Sequence, residues 1–219
     1  MLAIELNNTI IPRLKLQDSV ARALQFSNDF KVSHLPVVSD EKYLGLISEE
    51  ELLDAVPSSL IEALQEEFIT QAIHENEHFL QAVNFTNLHQ TSIVPLVNEP
   101  GELVGTITSQ SLLQVLGNFS GSQEIGGIIV LEMERRQLAI SEISRILESN
   151  EATLLHLNTT FKPENGLLTV TLHVNKRELS GLIAAFERYE YVVIYYFGEE
   201  KFENQIDSNY RHLMNYLDI

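Results

Sequence analysis

The chain has 219 residues and no cysteine, and it carries 31 acidic against 14 basic side chains, for a formal net charge of −17. The absence of cysteine excludes disulfides, cysteine-ligated metals and thiol catalysis. The strong negative charge repels nucleic acid and anionic membrane surfaces, so neither is expected as a partner.

The beginning of the chain, from Met1 to Glu5, lacks the basic start and apolar core of a signal peptide. No uninterrupted apolar run approaches the roughly 20 residues that a bilayer-spanning helix needs. Hydrophobic residues nevertheless make up 44% of the chain, which is enough to fill cores. We therefore expect a cytoplasmic protein with one or two domains.

The first predicted elements are an extended leading segment and a helix. Pro12 biases Ile11 away from helical geometry. Asp18 precedes an apolar run, and acidic residues are favoured at helix N-termini, so it is expected to cap the first helix. The apolar positions of residues 18–26 recur in residues 77–85, which predicts a second, equivalent helix.

A longer stretch also occurs twice. Residues 34–53 read as an apolar strand, an acidic turn, an apolar strand with Gly45, a hydroxyl residue and a helix, and residues 93–113 repeat that order with Gly105. The two glycines are 60 residues apart. Each unit is therefore predicted to contain a leading segment, a helix, two strands and a second helix.

This repeat resembles a tandem pair of CBS domains, often called a Bateman module, over roughly residues 8–117. The resemblance implies two domains, residues 1–58 and 59–119, with a cleft for AMP, ADP, ATP or another adenosyl ligand and no obligatory cofactor. In this family a Thr or Ser after the glycine and an Asp three residues later hold phosphate and ribose. The resemblance implies a ligand site made of Ile11, Leu35, Pro36, Ser48, Glu51, Ile69, Val94, Pro95, Thr108 and Ser111.

Neither copy keeps the ribose-binding Asp of the family. Glu51 stands there in the first copy and can still accept from both ribose hydroxyls if the pocket admits an extra methylene, whereas Ser111 in the second copy cannot bind them bidentately. Glu49 and Glu50 also satisfy the helix dipole and repel a phosphate. The alternative is that both positions are only good helix starts.

The five residues from His74 to His78 read HENEH and match the zinc-protease pattern H-E-x-x-H. That pattern needs a helix, so that both imidazoles lie on one face beside the glutamate. In the repeat His74 lies opposite Lys15, in the loop before a helix that starts near Glu77. We therefore interpret the motif as a solvated loop and expect no metal site.

A polar, glycine-containing linker at residues 118–122 precedes a different pattern. Apolar periodicity and alternation predict strands at 127–132, 152–160, 168–174 and 191–197, helices at 138–147 and 176–189, and a hairpin turn at 163–166. The order βαββαβ is a ferredoxin-like fold, so the whole chain is predicted to be α+β. A last helix is predicted within residues 201–219, with Ile206, Tyr210, Leu213 and Leu217 on one face.

The second pattern resembles an ACT domain over residues 120–200, and the combined order resembles acetoin-utilisation-type CBS-ACT accessory proteins. Amino-acid-binding ACT domains place a glycine in the turn after the first strand, where Gln137 stands here. No catalytic set can be placed on the predicted elements. The expectation is a non-catalytic regulatory homodimer that senses a ligand for a partner protein. The alternative is a dimeric interaction scaffold with degenerate pockets.

Overall fold

The structure, a computed structural model, describes residues 1–199. It divides into two compact units, residues 1–116 and the residues from 117 onward. The helix predicted within residues 201–219 lies outside the described residues. Helices and sheets alternate in both units, which confirms the predicted α+β class.

The first unit contains two three-stranded sheets of the same design, ordered β1-β2-β3 and β4-β5-β6. In each sheet the first pair of strands is parallel and the second is antiparallel. We call the part with the first sheet the first half and the part with the other sheet the second half. The strands are β1 (Leu14–Lys15), β2 (His34–Ser39), β3 (Lys42–Ser48), β4 (Ile73–His74), β5 (Ile93–Val97) and β6 (Leu103–Thr108), and the helices are α1 (Val20–Phe30), α2 (Glu49–Asp54), α3 (Phe79–His89) and α4 (Ser109–Phe119).

A single hydrophobic cluster joins the two halves. It contains Leu35 and Leu46 from the first sheet together with Ile93, Leu96 and Ile107 from the second. The central strand of each sheet is buried over almost its whole length, as expected for strands that are covered on both faces. Neither half therefore has a core of its own.

The leading segment of each half pairs with a strand of the other half. In the first crossing, Asn8 N donates to Thr106 O at 2.7 Å and Thr106 N donates to Asn8 O at 3.3 Å. In the second crossing, Ile69 and Leu46 exchange the same two bonds, each at 2.9 Å. The halves cannot separate without breaking these four backbone hydrogen bonds.

The twin glycines lie where the crossing segments pass. A Cβ atom at Gly45 would lie 2.6 Å from the Cβ of Phe68, and one at Gly105 would collide with the Oδ1 of Asn7. Glycine in a strand interior often marks a close approach of another backbone. The repeat of glycine at the two positions therefore reflects a repeat of the crossing.

The prediction that Asp18 caps the first helix is wrong by one residue. Ser19 is the N-cap of α1, and its Oγ accepts from Arg22 N at 3.3 Å. The Asp18 carboxylate instead accepts from Lys15 N at 2.8 Å and pairs with the Arg22 guanidinium at 2.8 Å. The Asp18 carboxylate thus stabilises the turn after β1, although the sequence predicted that it would cap the helix.

The second unit confirms the predicted ferredoxin-like order βαββαβ. Its four strands form one antiparallel sheet in the order β10-β7-β9-β8. Its elements are β7 (Gly127–Glu134), α5 (Ile140–Ser149), β8 (Leu154–Lys162), β9 (Leu167–Val174), α6 (Ser180–Arg188) and β10 (Val192–Phe197). On β9 every second residue from Leu168 to Val174 is buried in a cluster that also takes residues from both helices.

We expect Gly45→Ala to lower the free energy of unfolding by about 1–3 kcal/mol, because its Cβ would force the crossing segment at Phe68 away. Gly181→Ala in α6 is the matched control, since the nearest atom to its new Cβ is 3.9 Å away. Alanine is the better helix former there, so this variant should be neutral or more stable by up to about 1 kcal/mol. Urea denaturation measures both, and equal stability of the two variants would contradict the crossing argument.

Candidate functional site

Two strand-to-helix junctions, β3–α2 and β6–α4, occupy equivalent places in the two halves. Ser48 caps α2, with its Oγ accepting from Glu51 N at 3.1 Å. Thr108 makes the same bond at the start of α4, accepting from Ser111 N at 3.1 Å. The four predicted junction residues are therefore brought together in two pairs, each at a helix N-terminus.

The first backbone N–H group of each helix is also engaged. Glu49 N donates to Ser33 O at 2.8 Å, and Ser109 N donates to Ser92 O at 3.0 Å. Together with the capping bonds, these contacts occupy two of the first three N–H groups in each helix. Fewer donors are left for an anion than an uncapped helix N-terminus would offer.

The two junctions differ in charge and in hydroxyl pairing. In the second junction Thr108 Oγ1 and Ser111 Oγ are 2.8 Å apart and hydrogen-bond each other, so a ribose must share or replace this bond. Helix α4 contains no charged residue, whereas α2 begins with three consecutive glutamates. Glu51 is half-buried, and its carboxylate makes no hydrogen bond or ion pair within residues 1–199.

Each junction has the leading segment of the opposite half beside it. Ile69 is half-buried and pairs with Leu46 on β3, the strand that ends at Ser48. Asn8 likewise pairs with Thr106 on β6, while Ile11 is buried in the shared core. The sequence analysis placed Ile11 and Ile69 in the site but did not name Asn8 and missed the crossing, for which the twin glycines were the available signal.

The remaining predicted site residues lie on the central strands. Leu35 and Val94 are fully buried and belong to the shared core, and Pro36 and Pro95 are buried in the same strands. Their side chains therefore lie in the interior of the sheets, and their predicted place in a ligand site stays a prediction.

A polar contact between the two halves was missed by the sequence analysis. His34 is only 8% exposed, and its Nδ1 accepts from Ser92 N at 3.3 Å. Ser33 N donates to Ser92 Oγ at 3.0 Å. Burial lowers the pKa of His34. The 59-residue spacing of Ser33 and Ser92, which matches the repeat, was the signal that could have pointed to the contact.

The HENEH residues do not share a helix. His74 ends β4, and its Nδ1 accepts from Asn76 N. His78 is the N-cap of α3, and its Nδ1 accepts from Leu80 N. The geometry that a zinc protease needs is therefore missing at this motif. Among residues 1–199, no group of three or more His, Cys, Asp or Glu side chains could hold a metal ion.

The second unit has a cavity of about 290 Å³ at the turn that carries Gln137. Its lining includes three glutamates and the phenol of Tyr191, which donates to Glu142 Oε2 at 2.9 Å. Burial and then the bond to Glu142 and its charge raise the pKa of Tyr191 to about 12. These glutamates would repel the carboxylate of a free amino acid and attract its ammonium group, and Glu132 is already paired with Lys162 Nζ at 3.1 Å.

Residues 5–58 match the family model described as "CBS domain". Over 54% of this chain, the fold is similar to 98% of a CBS domain pair/ACT domain protein from Thermotoga maritima, with 19% identity and a TM-score of 0.50. A CBS domain pair in complex with 5′-methylthioadenosine and S-adenosyl-L-methionine is 21% identical over 53% of this chain and all of its own, with a TM-score of 0.46. The first unit thus has the fold of a tandem CBS domain pair.

Two relatives in sequence are enzymes by name. Homoserine O-acetyltransferase of Methanosarcina acetivorans is 28% identical over 40% of this chain, and that of Methanosphaerula palustris is 25% identical over 50%. The matches span only 17% and 23% of those proteins. No helix within residues 1–199 is long and apolar enough to cross a membrane.

We expect the purified protein to carry no stoichiometric zinc and to show no peptidase activity. The reason is that His74 ends β4 whereas His78 caps α3, so the two imidazoles do not lie on one helix face. His78→Ala should leave the metal content unchanged and reduce stability only slightly, by loss of the cap of α3. Elemental analysis of both proteins is the measurement. One equivalent of zinc that disappears with His78 would overturn this expectation.

Proposed function

We propose that the first unit is a non-catalytic regulatory module that binds an adenosyl ligand in the cleft between its two halves. The observation that carries the proposal is the pair of equivalent junctions at Ser48 and Thr108, each beside the leading segment of the opposite half. The family match over residues 5–58 supports it. We infer domains at residues 1–58, 59–119 and 120–200.

A ligand at either junction would touch both halves, because each junction is built from both. A ligand shifts a conformational equilibrium only by binding two states unequally. A change in how the halves fit together would alter the contact between a ligand and the crossing segment at Ile69 or Asn8. The proposed signal is therefore a change in the relative position of the two halves, which a partner protein recognises.

The charges predict different ligands for the two junctions. Glu49, Glu50 and Glu51 surround the place where a phosphate would approach α2, so the first junction favours adenosine or a weakly charged adenosyl compound. The uncharged start of α4 tolerates phosphate, with ribose held by a single hydroxyl. A like charge within a few ångströms costs on the order of 1 kcal/mol in a water-like dielectric.

The competing proposal is a dimeric scaffold whose pockets have lost ligand binding. The bond between Thr108 Oγ1 and Ser111 Oγ favours it, because both hydroxyls are satisfied without a ligand. The engaged N–H groups of Glu49 and Ser109 point the same way. Titration with adenosyl compounds separates the two proposals.

We further propose that the protein is a homodimer. Within residues 1–199, β10 is an edge strand of the four-stranded sheet and exposes Val192 (59%), and edge strands readily pair with another chain. In the first unit Leu53 (67% exposed) on α2 and Leu113 (72%) on α4 occupy equivalent positions. Apolar positions repeated in this way suit a two-fold contact with a second copy.

For the ligand, we expect affinity at the first junction to fall from adenosine to AMP, ADP and ATP, and to recover partly with magnesium. A micromolar affinity corresponds to about 8 kcal/mol, so a few repulsive contacts could remove most of it. Glu49→Gln with Glu50→Gln should tighten AMP binding about tenfold, if the two charges together cost about 1.4 kcal/mol. Calorimetric titration is the measurement.

The matched control for this titration is Glu148→Gln with Glu164→Gln, which removes the same charge from exposed positions of the second unit. This control should leave the affinity unchanged, because neither residue belongs to a junction and exposed charges are screened by salt. Unchanged AMP affinity in the junction variant would show that the electrostatic argument is wrong. Absence of heat with every adenosyl compound would support the scaffold proposal.

For assembly, we expect light scattering to give twice the chain mass of 24.8 kDa at micromolar concentration. Leu53→Lys with Leu113→Lys tests the helix faces, and Val192→Lys tests the strand edge, since buried lysines disfavour an interface. Loss of the dimer in either variant assigns the contact. A monomer mass for the unmodified protein at all concentrations would rule the dimer out.

A further inference from the structure

The contact between β2 and β5 is a place where equivalent residues of the two halves meet. Ser33 N donates to Ser92 Oγ at 3.0 Å across the contact. The carbonyl groups of the same two serines accept from Glu49 N and Ser109 N, the first residues of α2 and α4. A movement at this contact would therefore reach both helix N-termini directly.

The contact is not symmetric, because His34 stands where the second half has Ile93. The imidazole Nδ1 lies 3.3 Å from Ser92 N and 3.2 Å from Ser33 Oγ. A backbone N–H can only donate, so Nδ1 must accept, and the ring is neutral with its proton on Nε2. A protonated ring has donors on both nitrogens and can no longer accept from Ser92 N, and its Nδ1–H must turn to the hydroxyls of Ser33, at 3.2 Å, or Ser92, at 3.4 Å.

Several charged groups lie on the elements packed around His34. On the packed elements they are Lys15 on β1, Arg22 and Asp29 on α1, Lys42 on β3, and Glu49, Glu50, Glu51 and Asp54 on α2, while β5 and α4 carry none. Within residues 1–199, none of them hydrogen-bonds or pairs with the imidazole. An imidazolium here would have no carboxylate partner to offset its burial.

We propose that His34 is a proton-sensitive switch at the contact between the two halves, closed when the imidazole is neutral and opened when it is protonated. Protonation turns Nδ1 into a donor that faces the Ser92 N–H, so an accepted bond becomes a repulsive pair of donors. It also places a charge in a site that is 8% exposed. The switch requires no ligand and stands independently of adenosyl binding.

The direction of the pH dependence follows from the pKa. Burial holds the pKa of folded His34 below its ordinary value of 6.5. The opened or unfolded chain therefore binds the proton more tightly than the closed one. The contribution of the contact to stability is complete above pH 6.5 and is lost as the pH falls from 6.5 toward the folded pKa. Below the folded pKa, each pKa unit by which burial lowers the pKa of His34 shifts the equilibrium between the closed and opened contact about tenfold.

The test is an NMR titration of the full chain between pH 8 and pH 5. The His34 ring should show an unprotonated Nδ1 at pH 8 and should titrate below 6.5. The exchange protection of the Ser92 amide, corrected for the intrinsic pH effect, should fall in step with that titration. A His34 pKa at or above 6.5, or Ser92 protection that is independent of pH, would overturn the proposal.

A variant separates the switch from general acid sensitivity. In His34→Asn the side-chain oxygen replaces Nδ1 as an acceptor but does not titrate, so Ser92 protection should stay constant through the same pH range. His156→Asn, a half-buried histidine on β8, is the control and should keep the pH dependence of the unmodified protein. A pH dependence that survives in His34→Asn and disappears in His156→Asn would refute the assignment.

Discussion

The exchange of leading segments between the two halves is the constraint on which the first unit depends. Residues 7–8 and 68–69 each cross to the opposite sheet, and the missing side chains of Gly45 and Gly105 make room for them. Because the crossing uses backbone hydrogen bonds, it fixes the relative position of the halves more tightly than apolar contact alone. The shared core, the paired junctions and the contact at Ser92 all follow from that arrangement.

The same arrangement limits what the junctions can bind. A helix N-terminus attracts anions through its free N–H groups, yet here the fold already uses N–H groups of Glu49, Glu51, Ser109 and Ser111. Under the proposed function, an adenosyl ligand would gain more of its affinity from adenine and ribose contacts than from phosphate. This physical argument favours weakly charged adenosyl compounds even before the glutamates of α2 are considered.

The sequence predicted the repeat, the α+β class and eight of the ten strands within residues 1–199, because apolar periodicity and turn chemistry act locally. It placed Lys15 and His74 in loops, where the structure has the two-residue strands β1 and β4. Its predictions were wrong or incomplete where a side chain or a backbone segment contacts a partner that the local pattern does not reveal. Asp18 was expected to cap α1 but serves the turn after β1, and the crossing at Gly105 involves Asn7, almost a hundred residues earlier in the chain. The sequence analysis did not identify His34 as a functional candidate for the same reason, because its role depends on a contact with Ser92 in the other half.

The two halves share a backbone design but differ in charge and in titratable groups at equivalent positions. The first half has His34 and three glutamates at α2, where the second half has Ile93 and an uncharged α4. Since the halves share one core, a proton taken up at His34, or a ligand bound at the first junction as proposed, would also act on the second half. The divergence of the first half would then give one chain two different inputs to the same structural change.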